Sequence, residues 1–437
     1  MKTSMKIAAV AGLVAAACSS AYAGGFMLSE QSVTGLGRSY AGAGIVGDDI
    51  SAVWYNPAGM TLLSGTQFQL GGVFVNLDLP LKGLNGTAAQ GETDNGNKYI
   101  VPIPNLFLVH QMNEDMWFGL GITVPFGMAT EYKRNSKLNA FGMNSEIKVF
   151  DINPNIAWKV NDKVSIGAGI SLQYATAHFE AANKMNSDTT SDNFGSANYG
   201  RLNADGWAWG ANIGVMWSPT DTLRFGLAYR SAVNHHAKGT FRLGEGSFVP
   251  GDGKNTDFSG YNATVNDARA SLSAPHNISL TGTWEATESL RLSALIRWTN
   301  WASFETLEIT GTYPQAPQLG TQTLKKVENH WKDSWLFTVG ADYTINSAWT
   351  VRAGVGYEIS PVDDDKYRTA VIPDTDRLWL SIGTTWHVNE NLQGDFGFAW
   401  LHGIGDKGLY DPDSGVQYAE FDKLDAYLFG AQFTYKF

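Results

Sequence analysis

Apolar and polar residues alternate with a period of two along most of this chain of 437 residues. Leu223, Phe225, Leu227 and Tyr229 interleave with Arg224, Gly226, Ala228 and Arg230. Leu290, Leu292, Ala294, Ile296 and Trp298 interleave with Arg291, Ser293, Leu295, Arg297 and Thr299. The same pattern runs through Val351, Ala353, Val355, Tyr357 and Ile359, and through Ile166, Ala168, Ile170, Leu172 and Tyr174. Successive side chains of a strand point to opposite faces, so each stretch predicts a strand whose faces meet different surroundings. Each is about as long as a tilted strand needs to cross a bilayer.

The polar faces repeat Gly, Ser and Arg, which suits a barrel lumen better than bulk water, and the apolar faces suit lipid. After the first residues no run of about eighteen apolar residues occurs, so no transmembrane helix is expected. A sheet in a bilayer must bond every backbone group, and therefore must close. Short turns fall at Asn113-Glu114-Asp115, Asn161-Asp162, Pro219-Thr220-Asp221, Thr287-Glu288, Asn346-Ser347 and Asn389-Glu390. Longer polar stretches lie near 80–97, 133–145, 181–205, 237–267, 311–330 and 361–375. Short turns and long loops in alternation are the periplasmic and extracellular ends of a barrel. Strands starting near 66, 98, 116, 146, 163, 206, 222, 270, 289, 332, 348, 375, 391 and 424 make about fourteen. The fold class expected is all-β, a transmembrane antiparallel β-barrel. The last stretch, DAYLFGAQFTYKF, alternates strictly, carries Tyr427, Phe429, Phe433, Tyr435 and Phe437 on one face and stops on Phe. It resembles the C-terminal strand of bacterial outer-membrane barrels, which implies the barrel assembly machinery as a partner.

Composition agrees with this reading. Charged residues are only 17% and glycines number 48. Trp117, Trp158, Trp217, Trp298, Trp386 and Trp400 stand at strand ends, where interfacial girdles are built. The opening MKTSMKIAAVAGLVAAACSSAYAGG has basic Lys2 and Lys6, a short apolar run and Ala21-Tyr22-Ala23, so residues 1–23 read as a signal peptide cleaved after Ala23. Cys18 is a competing lipidation site, with Ala15 where a lipobox usually has Leu. The single cysteine leaves with the leader, so no disulfide framework is expected. Loss of Lys2 and Lys6 makes the formal charge of −11 still more negative, which is not a nucleic-acid binder's balance. Acid concentrates at Asp363-Asp364-Asp365 and Asp374-Thr375-Asp376, read as solvated loop charge, with a divalent-ion link to lipopolysaccharide as the other reading.

Residues 24–65 do not alternate. They are rich in Gly, Ala and Ser with scattered Met, Leu, Val and Trp54, too apolar for a disordered tail and better suited to a plug in the lumen of a barrel formed by 66–437. Within this segment, GLGRSYAGAGIVGDDISAVWYNPAGM resembles the N-terminal hatch of the FadL family of outer-membrane transporters for long-chain fatty acids and other hydrophobic compounds. Asn56, Pro57 and Ala58 match the family's Asn-Pro-Ala motif. PNLFLVHQMNEDMWFGLGIT, LAYRSAVNHHAKGTF, WTNWASFETLEI and SPVDDDKYRTAVIPDTDRLWLSIGTTW match as well. The resemblance implies a fourteen-stranded barrel with a hatch, a monomer, no cofactor, and outer-membrane lipids with lipopolysaccharide as surroundings.

The stretch GITVPFGMATEY reads as strand on both sides of Pro125, Phe126 and Gly127. Proline belongs at edges, strand ends or bulges. By position alone, Pro125 is a bulge near the outer rim. The resemblance implies instead that the third strand kinks inward at Gly127 and leaves a gap in the wall. Pro125 has no N–H to donate and Gly127 permits unusual dihedrals. A gap suits an apolar cargo, which would otherwise lose roughly 0.8 kcal/mol for each CH₂ returned to water. The expected path is capture by the loops near 181–205 and 237–267, a pocket floored by the hatch, and lateral exit past Gly127.

In fatty-acid members of the family a lumenal arginine follows a strand-five Glu. Here Glu180 is followed by Ala181, so that arginine is missing. The resemblance places carboxylate binding at Lys325 or Lys326 before strand ten, with His178 and Lys184 as substitutes, and leaves a channel for small aromatic hydrocarbons as the alternative. A general diffusion porin is a further alternative, against which the plug speaks. A hydrolase is not expected: the histidines show no Ser–His or Asp–His setting, and His235-His236 on a strand point to opposite faces, poor for a shared metal. Neither catalytic nor metal-binding residues are assigned.

Overall fold

The computed structural model describes residues 24–86, 90–96, 100–132, 144–185, 197–246, 261–304, 306–312, 317–411 and 414–437. The signal peptide and its cysteine lie outside these. Among the described residues, fourteen strands pair antiparallel in sequence order and the last returns to the first. They are β1 (Thr66–Asp78), β2 (Val101–Gln111), β3 (Met116–Glu131), β4 (Asn144–Lys159), β5 (Val164–Met185), β6 (Ala197–Trp217), β7 (Leu223–Arg230, continued as Val233–Gly246) and β8 (Tyr261–Ala274, continued as Asn277–Glu285). The ring goes on through β9 (Leu290–Thr299 and Thr306–Gly311), β10 (Gln322–Glu328 and Ser334–Thr344), β11 (Trp349–Ile359), β12 (Asp376–His387), β13 (Leu392–Ile404) and β14 (Asp425–Lys436). β1 pairs with β14 from Gln67↔Lys436 to Asp78↔Asp425 and with β2 on its other side. The sheet is thus a closed barrel, the form in which strands stand in a bilayer.

The two faces divide as the alternation predicts. Phe225, Leu227, Ile170, Leu172, Ile296, Val355, Phe429 and Phe433 are exposed on the outside, while Gln173, Arg230, Arg297, Arg352 and Gln432 are buried on the inside. Trp158, Trp217 and Trp386 are exposed at strand ends. Trp117 corrects the girdle reading: it faces inward and its Nε1 donates to Leu63 O at 2.7 Å. The solvated-acid reading fails at Asp374, which is buried and accepts from the Gly25 N–H at 2.9 Å.

Three strands begin earlier than alternation suggests: β6 at Ala197, β8 at Tyr261 and β10 at Gln322. Much of the expected loops near 181–205, 237–267 and 311–330 is therefore strand. These extensions rise past the apolar belt, so both faces can be polar and the lipid-facing signal disappears. Residues near 80–97 also contribute to a separate four-stranded sheet, in which Leu81–Gly83, Thr93–Asp94, Gly408–Tyr410 and Gln417–Phe421 pair beside the barrel's long-loop end.

Residues 24–65 are almost wholly buried within the ring. They form α1 (Val33–Leu36), α2 (Ala52–Tyr55) and a 3₁₀ turn over Pro57–Leu62. The Ser32 hydroxyl caps α1 by accepting from Gly35 N at 2.8 Å. α1 packs on β12, β13 and β14, and the 3₁₀ turn packs on β3 through β6.

Candidate functional site

The wall opens between β2 and β3. Their ladder runs from Gln111↔Trp117 only to Leu106↔Ile122. Beyond that pair, Val101–Asn105 stay bonded to β1, and β3 continues on β4 alone. The β3–β4 register shifts between Thr123 and Phe126, so Val124 and Pro125 together face a single β4 position, a β-bulge. The bulge bends β3, and Pro125 sits where no N–H is required. Gly127 has no positive φ among the described residues, which corrects the expectation of unusual dihedrals there. Its missing side chain instead admits Leu28, whose Cδ1 would lie 3.1 Å from an added Cβ.

The N-terminal segment takes the place that β2 leaves. Leu28 N donates to Pro125 O at 2.8 Å, Gly127 N donates to Phe26 O at 3.0 Å, and Met27 bridges Phe126 antiparallel. Gln31 closes the bulge from the side: its Nε2 donates to Val124 O at 2.7 Å and its Oε1 accepts from Val124 N at 3.3 Å. Phe26 is held edge-on by Trp301 at 4.7 Å and Phe304 at 5.3 Å, with Phe126 at 5.9 Å and Trp331 at 6.3 Å. Trp301, Phe304 and Trp331 come from the interruptions of β9 and β10, which turn these rings into the lumen. None of Phe26, Leu28 or Gln31 carries a periodic signal in the sequence. Trp301 and Phe304 lie in WTNWASFETLEI, a stretch that carries the family resemblance but no sign of their place in the lumen.

The Asn-Pro-Ala motif is a joint between segment and wall. The Asn56 side chain accepts from Ala58 N at 3.1 Å and donates to Val215 O at 3.1 Å, and Pro57 starts the 3₁₀ turn. Wall glycines make room for it. A Cβ on Gly214 would come within 2.0 Å of Asn56 Oδ1, and one on Gly167 within 2.6 Å of Ala58 N. Farther round, a Cβ on Gly354 would meet the Arg38 carbonyl carbon at 2.2 Å.

Charge locks the same segment from below. Arg38 bonds Asp48 at 2.7 Å and Asp342 at 3.2 Å, and Arg352 joins Asp342 at 3.0 Å to Asp395 at 3.4 Å. Arg291 reaches Asp48 at 3.4 Å and Glu285 at 2.9 Å. Burial would lift the Asp48 carboxyl, but Arg38 and Arg291 hold it well below the usual carboxylate range. Glu30 is the opposite case. It is 0% exposed and neither carboxyl oxygen has a hydrogen-bond partner among the described residues. Burial pushes it up to about 8, opposed by its own backbone N–H and by Arg297 and Arg377, with Glu358 adding to the rise.

Of the expected carboxylate binders, the two whose side chains are described, His178 and Lys326, do not converge. His178 Nδ1 shares a hydrogen bond with Asn203 at 2.6 Å on the face opposite half-buried Phe179 and buried Leu202, away from the lumen. Glu180 on that same outer face pairs with Arg201 of β6. Lys326 is exposed and stands opposite Glu308 in the β9–β10 ladder. Lys184 and Lys325 lie in β5 and β10, but their side chains fall outside the described residues. His235 and His236 do point to opposite faces, one buried against Gln173 and the other bonded to Ser271.

A family model described as outer membrane protein transport protein (OMPP1/FadL/TodX) matches residues 14–437. A long-chain fatty acid transport protein of Escherichia coli O6:H1 is 28% identical, covering 100% of this chain and 99% of its own. Outer membrane protein P1 of Haemophilus influenzae is also 28% identical, with both chains covered in full. Among solved structures, a Pseudomonas aeruginosa FadL homologue shares the fold with a TM-score of 0.79 at 24% identity, covering 94% of this chain and 100% of its own. The Pseudomonas putida toluene transporter TodX does so with a TM-score of 0.67 at 18% identity, covering 89% and 94%.

Proposed function

We propose that this chain, which belongs to the outer membrane transport protein family (OMPP1/FadL/TodX), delivers long-chain fatty acids or similar hydrophobic molecules sideways from its lumen into the outer membrane. The family consists of transport proteins, so the chain is a multi-pass outer-membrane barrel and not an enzyme. The observation that carries the lateral route is the exchange of partners along β3. Past Ile122 the wall strand β2 is replaced by residues 26–28 of the N-terminal segment, so withdrawing that segment unseals the wall without breaking any wall ladder.

This arrangement favours passive gating. Residues 24–65 act as a hatch: the lumen is occupied where a general diffusion porin keeps it open. The gate consists of the backbone hydrogen bonds of residues 26–28, the Gln31 side chain on Val124 and one aromatic ring, Phe26. A cargo chain arriving at Trp301, Phe304 and Trp331 competes with Phe26 for the same apolar surface. Its methylenes stay out of water throughout, worth roughly 0.8 kcal/mol each. Release past Pro125 and Gly127 places the cargo directly in lipid.

A channel for small aromatic hydrocarbons is the second reading. Ala181 in place of an arginine, together with the outward placement of His178 and Lys326, favours it by leaving those positions without a lumenal cation. Uptake of labelled oleate and labelled toluene by cells lacking their own fatty-acid transporter separates the two. Oleate uptake that depends on this protein and collapses in Gly127→Val supports the proposal. Toluene uptake alone, with oleate at background, replaces it with the second reading.

A further inference from the structure

The geometry points to a hydrogen-bonding track on the inner wall, ending at the gap, that guides an uncharged polar head of the cargo. Five inward-facing polar residues form a row along the wall: Asn105 on β2, Thr123 on β3, Asp151 on β4 and Gln173 on β5, then, across β6 where Ala208 stands opposite Gln173, His235 on β7. The ladders set Thr123 opposite Asp151 and Asp151 opposite Gln173, and the His235 ring lies 3.0 Å from Gln173 Oε1. Asn105 and Thr123 form the next pair in register after Leu106↔Ile122, the first rung that β2 and β3 fail to make. All five side chains are at most 1% exposed.

What marks the track as a site is its unused bonding capacity. Asn105 is 1% exposed, yet neither Oδ1 nor Nδ2 has a partner among the described residues. The Thr123 hydroxyl beside it is equally unpartnered, as is His235 Nδ1 at the other end. Buried polar atoms are normally bonded to protein or to water, and a run of them without protein partners along a cargo path calls for a visitor that can bond. Water can fill such places between passages; a molecule with a polar head then replaces the water's bonds, and a bare hydrocarbon does not.

The charge on the track narrows the head to a neutral one. The acid in the row, Asp151, accepts from Ser171 at 3.1 Å and Arg230 at 3.3 Å. The Arg230 guanidinium is further engaged by the Ser171 hydroxyl, Trp54 O and Asn153. The pair is thus self-compensated, and an anionic head would meet Asp151 without a spare cation. Suitable heads are a protonated carboxylic acid or an alcohol. The inference rests on the lateral-release reading, because Asn105 and Thr123 stand where the wall parts.

The test uses three cargoes of equal chain length: oleic acid, oleyl alcohol and octadecene. Each is labelled and given to transporter-deficient cells making the wild type, Asn105→Leu/Thr123→Val or Asn105→Ser/Thr123→Ser. A heat-modifiable band in outer-membrane fractions checks that each barrel is folded. The apolar pair should lower uptake of acid and alcohol about tenfold, the effect of one or two lost hydrogen bonds, and leave octadecene unchanged. The serine pair should restore both polar cargoes. Equal losses for all three cargoes, or no loss for any, overturns the inference while leaving lateral release standing. If the wild type takes up none of the three, the transport reading fails, and quenching of the purified barrel by a dibrominated octadecanol still decides the track: binding as tight to the apolar pair as to the wild type rules it out.

Discussion

At the scale of single residues, two carboxyls in the hatch respond to pH in opposite senses. Glu30 is buried without a hydrogen-bond partner among the described residues and is pushed from an ordinary 4.5 to about 8. Its docked state binds the proton more tightly than its free state. Docking is therefore strongest at low pH and weakens as pH rises from about 4.5 to about 8, by up to about 1.4 kcal/mol per unit, with no further loss above that range. The groups facing it are Glu358, Arg297 and Arg377 from the wall and Tyr40 and Tyr55 from the hatch. In Glu30→Gln, proteolysis of residues 24–65 should lose its increase between pH 5 and pH 9; an unchanged increase would assign it to another group. Asp48, held low by Arg38 and Arg291, adds stability that disappears only under strong acid. Arg38→Ala leaves Asp48 to Arg291 and Asp342 to Arg352, and should cost about 1.5–3 kcal/mol of docking, the worth of hydrogen bonds to charged groups, read as raised ion conductance in planar bilayers. Conductance as low as the wild type's would mean the hatch is held elsewhere.

At the scale of elements, close approach of hatch and wall is the organising constraint. A side chain at position 354 has no room: a Cβ there falls 2.2 Å from the Arg38 carbonyl carbon and 2.7 Å from its Cα. Gly354→Val should leave the barrel heat-modifiable while making residues 24–65 sensitive to protease, whereas a barrel that no longer folds would place the requirement in the wall itself. The strands inside the apolar belt were legible because lipid on one face and a polar lumen on the other impose alternation. The extensions of β6, β8 and β10 were not, because both faces there can be polar. Pro125 and Gly127 marked the bulge, but not what covers it. Phe26, Leu28 and Gln31 bond to β3 from about a hundred residues away, and contacts of that range leave no local pattern. Asn56-Pro57-Ala58 was legible as a motif, while the glycines that receive it, Gly167 and Gly214, read only as small members of alternating strands. The direction of His178 was not legible for a related reason: strand parity turns it outward with Asn203, while its neighbour Phe179 faces the other side.

At the scale of the whole molecule, a closed ring of fourteen strands is sealed at one place by its own N-terminal segment. Elsewhere round the ring each strand has wall partners on both sides, so the lateral route proposed above needs only residues 26–28 to leave β3. That separation of a rigid ring from a short movable latch is the central claim, and a reversible lock tests it. Met27 and Phe126 face each other across an antiparallel bridge, a spacing of about 4.5–5.5 Å between Cα atoms that a disulfide spans. Met27→Cys with Phe126→Cys, in a chain that also carries Cys18→Ala, ties the latch to β3. Oleate uptake by cells making this variant should fall to background when the bond is formed and return on reduction. Full uptake with the disulfide demonstrably closed would show that cargo leaves by a route other than the gap between β2 and β3.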